Sequence, residues 1–221
     1  MSGRYSIAAD HEALRRRFAF INSAADVRPR YNAAPTQMLP VVRLNKHGER
    51  ELVMLRWGLV PSWATDPNIG SSNFNAQAET VHRMPAFRAA FRRRRCLVLA
   101  DGFYKWRVTG DKRKPYRFTM KDGAPFAMAG LWERWDRGDE AIESFAIIVS
   151  VANEHVRPIH DRMPAILGPS ACGEWLESEG LTIPMVLLQF CPTAEMAVYP
   201  VSERIDDPKN DDADLITPLV T

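Results

Sequence analysis

The feature that most restricts the fold is a short, wholly apolar run, Cys96-Leu97-Val98-Leu99-Ala100, which breaks at Asp101-Gly102 and is followed by Phe103–Val108. Such a run bounded by a turn pair reads as a central strand, with a second strand after the turn. The pattern continues through Lys114–Met120, Phe126–Trp135 and Ser144–Ala152, with turns at Asp122-Gly123 and Arg137-Gly138. Upstream, Val41–Leu44 and Glu51–Leu59 flank Asn45–Gly48 as a strand pair, and Met196–Ser202 reads as a last strand. Helical spacing is confined to four segments. Asp10 caps one that runs to about Phe20, and Glu79 or Thr80 opens another through Arg94, with Phe87 and Phe91 on its buried side. Asn153–His160 and Pro169 to about Ser178 supply the others, while Arg28–Pro35 is a proline-punctuated loop. No βαβ rhythm with glycine-rich phosphate loops occurs. The expectation is an α+β fold with a mostly antiparallel sheet, residues 1–221 forming a single domain.

Composition excludes several classes. No apolar run approaches eighteen residues, so no membrane span is expected. Cys96, Cys172 and Cys191 are odd in number, scattered and without a CxxC, which argues against a disulfide framework or zinc and for a reducing cytoplasm. The five histidines are equally dispersed, so neither a metal site nor a cofactor is expected. Charge is unevenly distributed: six arginines fall between Arg83 and Arg95, ending in Arg92-Arg93-Arg94-Arg95, and six carboxylates between Glu203 and Asp214. The basic stretch suits either phosphate contact or a solvated helix face.

Four places could carry chemistry. The chain starts Met1-Ser2-Gly3-Arg4-Tyr5, with a small residue after methionine. Removal of Met1 would expose the α-amine of Ser2, whose ordinary pKa of ~7.7–8.0 leaves it partly neutral and able to attack a carbonyl carbon. Most termini are frayed and carry no chemistry. Asn75, within Asn73–Thr80, can hydrogen-bond a carbonyl, ring oxygen or base edge, although capping is the commoner use of a lone asparagine. Lys105 alternates with aromatics and shares a strand face with Phe103, a placement usually solvated. His160, in Pro158–Pro164, has an imidazole suited to proton shuttling, beside a structural alternative. No GxSxG elbow points to a serine hydrolase.

Together these segments resemble the SRAP family, the SOS-response-associated peptidase or abasic-site-processing proteins. The likeness rests on Arg30-Tyr-Asn-Ala-Ala-Pro35, Trp57-Gly-Leu-Val-Pro61, Asn75-Ala76 with Glu79-Thr80, and Ala100-Asp-Gly-Phe-Tyr104 with Trp106. Lys114-Pro-Tyr116, Ala129-Gly-Leu-Trp132 and Ile159-His-Asp-Arg-Met-Pro164 follow in the same order. The resemblance implies a bifurcated sheet curled into a pseudo-barrel with peripheral helices. It also implies a monomer that binds single-stranded DNA, or a single-strand/duplex junction, at an abasic site in the DNA damage response. Catalytic positions would be Ser2, Asn75, Lys105 and His160. DNA contacts would come from Arg4, Tyr31, Asn32, Trp63, Gln77, Arg92, Arg93, Arg94, Arg95 and Arg162, with Tyr31 and Trp63 stacking on bases.

In the family the residue after Met1 is a cysteine, whose amine and thiol close a stable ring on the sugar aldehyde, and a glutamate follows the Gly-aromatic-aromatic triplet. Here those positions hold Ser2 and Lys105, and Gln77 stands where a DNA-contacting arginine is usual. A hydroxyl is a far weaker nucleophile than a thiol, and losing a carboxylate acid/base typically costs ~10²–10⁴ in rate. A lysine ~4 Å from the terminal amine would repel its proton by ~4 kcal/mol at an effective dielectric of ~20, or itself attack the aldehyde. The expected product is a transient imine with weak lyase activity; the alternative is a DNA-binding module that has lost the chemistry.

Overall fold

The computed structural model describes residues 3–22, 27–137, 140–188 and 195–219. In chain order the elements are β1 (Tyr5–Ile7), α1 (His11–Phe18), β2 (Arg30–Ala33), β3 (Met38–Leu44), β4 (Arg50–Trp57), β5 (Asn75–Gln77), α2 (Arg88–Arg93) and β6 (Arg95–Ala100). They continue with β7 (Gly102–Thr109), β8 (Lys112–Met120), β9 (Phe126–Arg137), β10 (Glu140–Val151), β11 (Arg162–Pro164), β12 (Ile166–Leu167), α3 (Ala171–Glu177), α4 (Thr182–Leu187) and β13 (Met196–Pro200).

Five of these strands close on themselves. β4, β3, β6, β9 and β10 pair antiparallel in that order, and β10 then joins β4 in parallel. Closure removes the unpaired edges that an open sheet would present. The apolar run sits inside this ring as β6, buried at every position. A second sheet, ordered β13-β8-β7-β1-β2, is antiparallel throughout. One apolar cluster includes Tyr5, Ile7, Phe103 and Phe118 from this sheet and Leu39, Val41, Leu97 and Leu131 from the ring. The α+β, bifurcated and barrel-like architecture is therefore present, with short helices outside it.

Strand β10 is where the ring splits. Ser144 pairs with Arg56 on one side and Glu133 on the other. Farther along, Val149 pairs with Gln77 of β5 and Pro164 of β11, so these two short strands continue the edges that β4 and β9 leave. Gly58 permits the departure of β4: its φ is +133°, and a Cβ there would lie 2.5 Å from the Gly70 carbonyl oxygen.

Several local expectations change. Arg30–Ala33 is a strand, not a loop, because a distant carboxylate holds it: Asp211 Oδ1 accepts from the Tyr31 and Asn32 amides at 2.6 and 2.9 Å. Asn75–Gln77 is likewise a strand, not a loop-to-helix junction. The helix expected from Glu79 or Thr80 is reduced to Arg88–Arg93, since Pro85 has no amide hydrogen and disfavours helical backbone before it. Residues 153–160 form turns, with Asn153 Oδ1 accepting from the His155 and Val156 amides. Helix α1 keeps its Asp10 cap but stops at Phe18, where Ala19 turns left-handed at φ 55°. The turn residue Gly138 and Cys191 lie outside the described residues. Among the described residues, no helix is long and apolar enough to cross a membrane and no group of three metal-ligating side chains occurs.

Candidate functional site

The beginning of the chain is tied down more firmly than a terminus usually is. Strand β1 pairs with β2 on one side and β7 on the other, and the Tyr104 amide donates to the Arg4 carbonyl at 3.1 Å. Asp101, in the turn between β6 and β7, gathers the rest. Its carboxylate accepts from Ser6 Oγ at 2.6 Å, from the Ala8 and Ala9 amides, and from Arg117 Nη2 at 2.8 Å. The Asp101–Arg117 pair is nearly closed to solvent, so its attraction is little screened. Gly102 makes room for it: a Cβ there would lie 2.6 Å from Arg117 Nε. Ser2, the expected nucleophile, lies outside the described residues.

Gly3 and Arg4 line a pocket of about 630 Å³ together with Lys105 and Trp106 of β7, Arg113 of β8 and His160 from the turns after β10. Lys105 is not on a solvated strand face as expected; it is 1% exposed. Its Nζ has no hydrogen-bond partner among the described residues, and burial pushes its pKa down to about 7, with Asp161 pulling weakly the other way. Desolvation, then the charge of Lys105, lowers the pKa of His160 below its ordinary value. The Arg162 amide donates to His160 Nδ1 at 3.0 Å, so the neutral ring carries its proton on Nε2. Asp161 Oδ1 also lies 2.9 Å from Nδ1, but an ion pair there needs a protonated ring, and the exposed carboxylate is outweighed by the desolvation.

The expected DNA contacts separate into available and committed groups. Arg92, Arg93 and Gln77 are exposed, and so is Trp63 at 54%, whose indole donates weakly to the Pro85 carbonyl. Arg95 is committed to the interior: its guanidinium is buried and donates to the carbonyls of Phe91, Arg92, Trp175 and Ser178. Arg94 pairs with Glu133 and Arg162 with Glu79. Asn32 is fully buried, its amide donating to the Ile205, Asp207 and Asn210 carbonyls, so it locks the tail onto β2. Arg4 donates to Asn32 Oδ1 and to the Ile205 and Asp206 carbonyls while still lining the pocket. Tyr31 packs partly buried against the cluster of Tyr104, Val201, Ile205 and Leu215, so little of its ring is open to a base. Asn75 sits on β5, in register with Ile147 of β10.

Residues 1–208 match the family model described as SOS response associated peptidase (SRAP). The chain belongs to this family. It is 38% identical over 196 residues to the abasic site processing protein YoaM of Bacillus subtilis, covering 86% of each chain. It is 33% identical over 195 residues to the abasic site processing protein YedK of Escherichia coli, covering 86% of this chain and 85% of the relative. A crystal structure of a protein from Bacteroides thetaiotaomicron superposes with a TM-score of 0.88 at 25% identity, covering 98% of this chain and 99% of that one.

Within this SRAP chain the shared motifs have visible physical jobs: Gly58 lets two backbones touch, Asp101 anchors β1, and Trp57 donates to the Phe74 carbonyl at 2.8 Å. Sequence reasoning found the strands β7 and β8 but missed the cationic character of their hairpin. It carries Arg107, Lys112, Arg113 and Lys114, and Arg113 lies 4.4 Å over the Trp106 ring at the pocket wall. The signal was readable as four cations clustered around the Thr109–Asp111 turn.

Proposed function

We propose that this chain binds DNA at an abasic site and forms an imine between the ring-opened sugar aldehyde and the α-amine of residue 2, exposed when Met1 is removed. The DNA is single-stranded or a single-strand/duplex junction, and the protein acts as a monomer in the cytoplasm. One observation carries the reading: Gly3, which follows Ser2 in sequence, lines the same pocket as the Arg4 guanidinium, the Lys105 amine and the His160 imidazole. The names of the relatives point to the same lesion.

The chemistry follows from the groups present. Cations at the pocket favour a neutral terminal amine, the form that attacks a carbonyl. The imidazolium form of His160, which lines the pocket, can protonate the carbinolamine oxygen as it leaves, returning to the neutral ring. Arg4 and Arg113 can hold flanking phosphates, while Trp63 offers an exposed face for a base. Asn75 hydrogen-bonds the opened sugar. The imine is reversible, because Ser2 brings a hydroxyl where a thiol would close a stable ring.

Incubation with an abasic single-stranded oligonucleotide and borohydride tests this. A reduced protein–DNA adduct is expected, together with binding that weakens steeply with salt. Failure to bind abasic DNA, or binding indifferent to salt, would overturn the reading; binding without an adduct leaves a DNA-binding module that has lost the reaction.

A further inference from the structure

An ammonium buried without a counter-charge is costly, so interior lysines are normally paired. Lys105 is not: its enclosed Nζ bonds to no described residue, and the carboxylate acting on it, Asp161, has a side chain 86% exposed. Methionine would fill the same volume at less cost, so packing does not account for this side chain. Lys105 lines a cavity that also holds His160, with its Nζ enclosed behind that wall.

We propose that Lys105 is a second covalent site of this pocket, its Nζ adding to the aldehyde carbon of an abasic deoxyribose to form an imine from which the strand is cut by β-elimination. This rests on the reading above, that abasic DNA enters the pocket, and names a residue that reacts there independently of Met1 removal. The Nζ lone pair forms a C–N bond to the aldehyde carbon, and a nitrogen proton passes to the oxygen. That oxygen leaves as water after a second proton arrives from the imidazolium form of His160, giving the iminium and leaving the ring neutral. Loss of a proton from the adjacent sugar carbon to the neutral imidazole gives an enamine, whose electrons expel the 3′ phosphate. Water then hydrolyses the unsaturated iminium, returning the lysine amine and releasing an unsaturated aldehyde on the 5′ fragment. No oxidant or reductant is needed.

The surroundings suit this sequence. Arg4 from the chain start and Arg113 from β8 line the same pocket, Tyr116 of β8 is paired opposite Lys105, and His160 and Asp161 approach from the turns after β10. Burial favours the neutral amine, and the Arg4 and Arg113 guanidiniums can attract the phosphates that would deliver the sugar.

Borohydride trapping followed by tryptic mass mapping reads the site directly. An adduct on Lys105 blocks cleavage after it, so the modified peptide runs from Cys96 to Arg107, whereas a terminal adduct lies in the peptide ending at Arg4. The expected result is an adduct in the first peptide, persisting when the α-amine is acetylated and falling to background in Lys105→Arg. Adduct confined to the terminal peptide would overturn the Lys105 assignment while upholding the reading it rests on. Binding with no adduct at all would also overturn it, and absence of binding would remove both. Mapping the unmodified protein needs no variant, so poor folding of Lys105→Arg would not rescue the proposal.

Discussion

Replacing Lys105 with methionine is expected to stabilise the protein, by an amount that depends on pH. The folded-state pKa is about 7, against an ordinary lysine value of 10.5 in the unfolded chain. Between these values the unfolded chain binds more protons than the folded one, so the unfolding free energy of the natural protein rises with pH across that window. Below it the full penalty for burying the amine is present; above it both states are neutral and the penalty vanishes. At ~1.4 kcal/mol per pKa unit the displacement corresponds to roughly 5 kcal/mol, which water entering the pocket reduces to ~2–5 kcal/mol. Lys105→Met should therefore exceed the natural protein by that amount near neutrality and converge on it above about pH 10. Guanidinium unfolding followed by tryptophan fluorescence, repeated from about pH 6 to about pH 10, measures the difference directly. A difference that does not change with pH, or a methionine variant less stable throughout, would refute the picture of an unpaired amine inside the pocket.

The remaining predictions use other parts of the site. Asp101→Asn strips the counter-charge from buried Arg117 and should cost ~3–5 kcal/mol in chemical denaturation, loosening the chain start and lowering the yield of borohydride-trapped adduct. Arg92→Ala with Arg93→Ala is expected to leave the melting temperature within a few degrees and to reduce the slope of log binding constant against log salt by up to ~1.4–1.8, depending on how far both reach phosphates. Arg95→Ala should do the reverse, leaving the buried Phe91 and Trp175 carbonyls without this donor at ~1–3 kcal/mol each while hardly touching the salt slope. Ser2→Cys combined with Lys105→Glu supplies a thiol to close on the imine and a carboxylate to move the proton. That double variant should yield an adduct that survives denaturing electrophoresis without borohydride, where the natural chain should not.

The runs β6 to β10 were legible because a buried strand needs apolar residues in short blocks, and turn pairs such as Asp122-Gly123 mark where each block stops. The ordered motifs around Arg30, Trp57, Asn75, Asp101 and His160 pointed to the family for a related reason: close backbone contacts and buried ion pairs tolerate few residue types. What failed were properties set by distant partners. Arg30–Ala33 read as a loop until Asp211 arrived to bind its amides, and Asn75–Gln77 until β10 lay beside it.

The run Arg92–Arg95 shows the same division within four neighbours. By sequence they are one basic patch; by tertiary structure two face solvent, one pairs with Glu133, and one holds α3 to the ring through backbone carbonyls. Lys105 is the sharper case. Its spacing put it on the same strand face as Phe103, but whether that face met water or protein depended on how β7 lies against the chain start and the turns bearing His160. Residue order thus determined the strands, their turns and the family, because these depend on local patterns of polarity and shape. Burial, and with it the protonation of an amine, is a property of the whole assembly around an atom, and only the folded chain decided it.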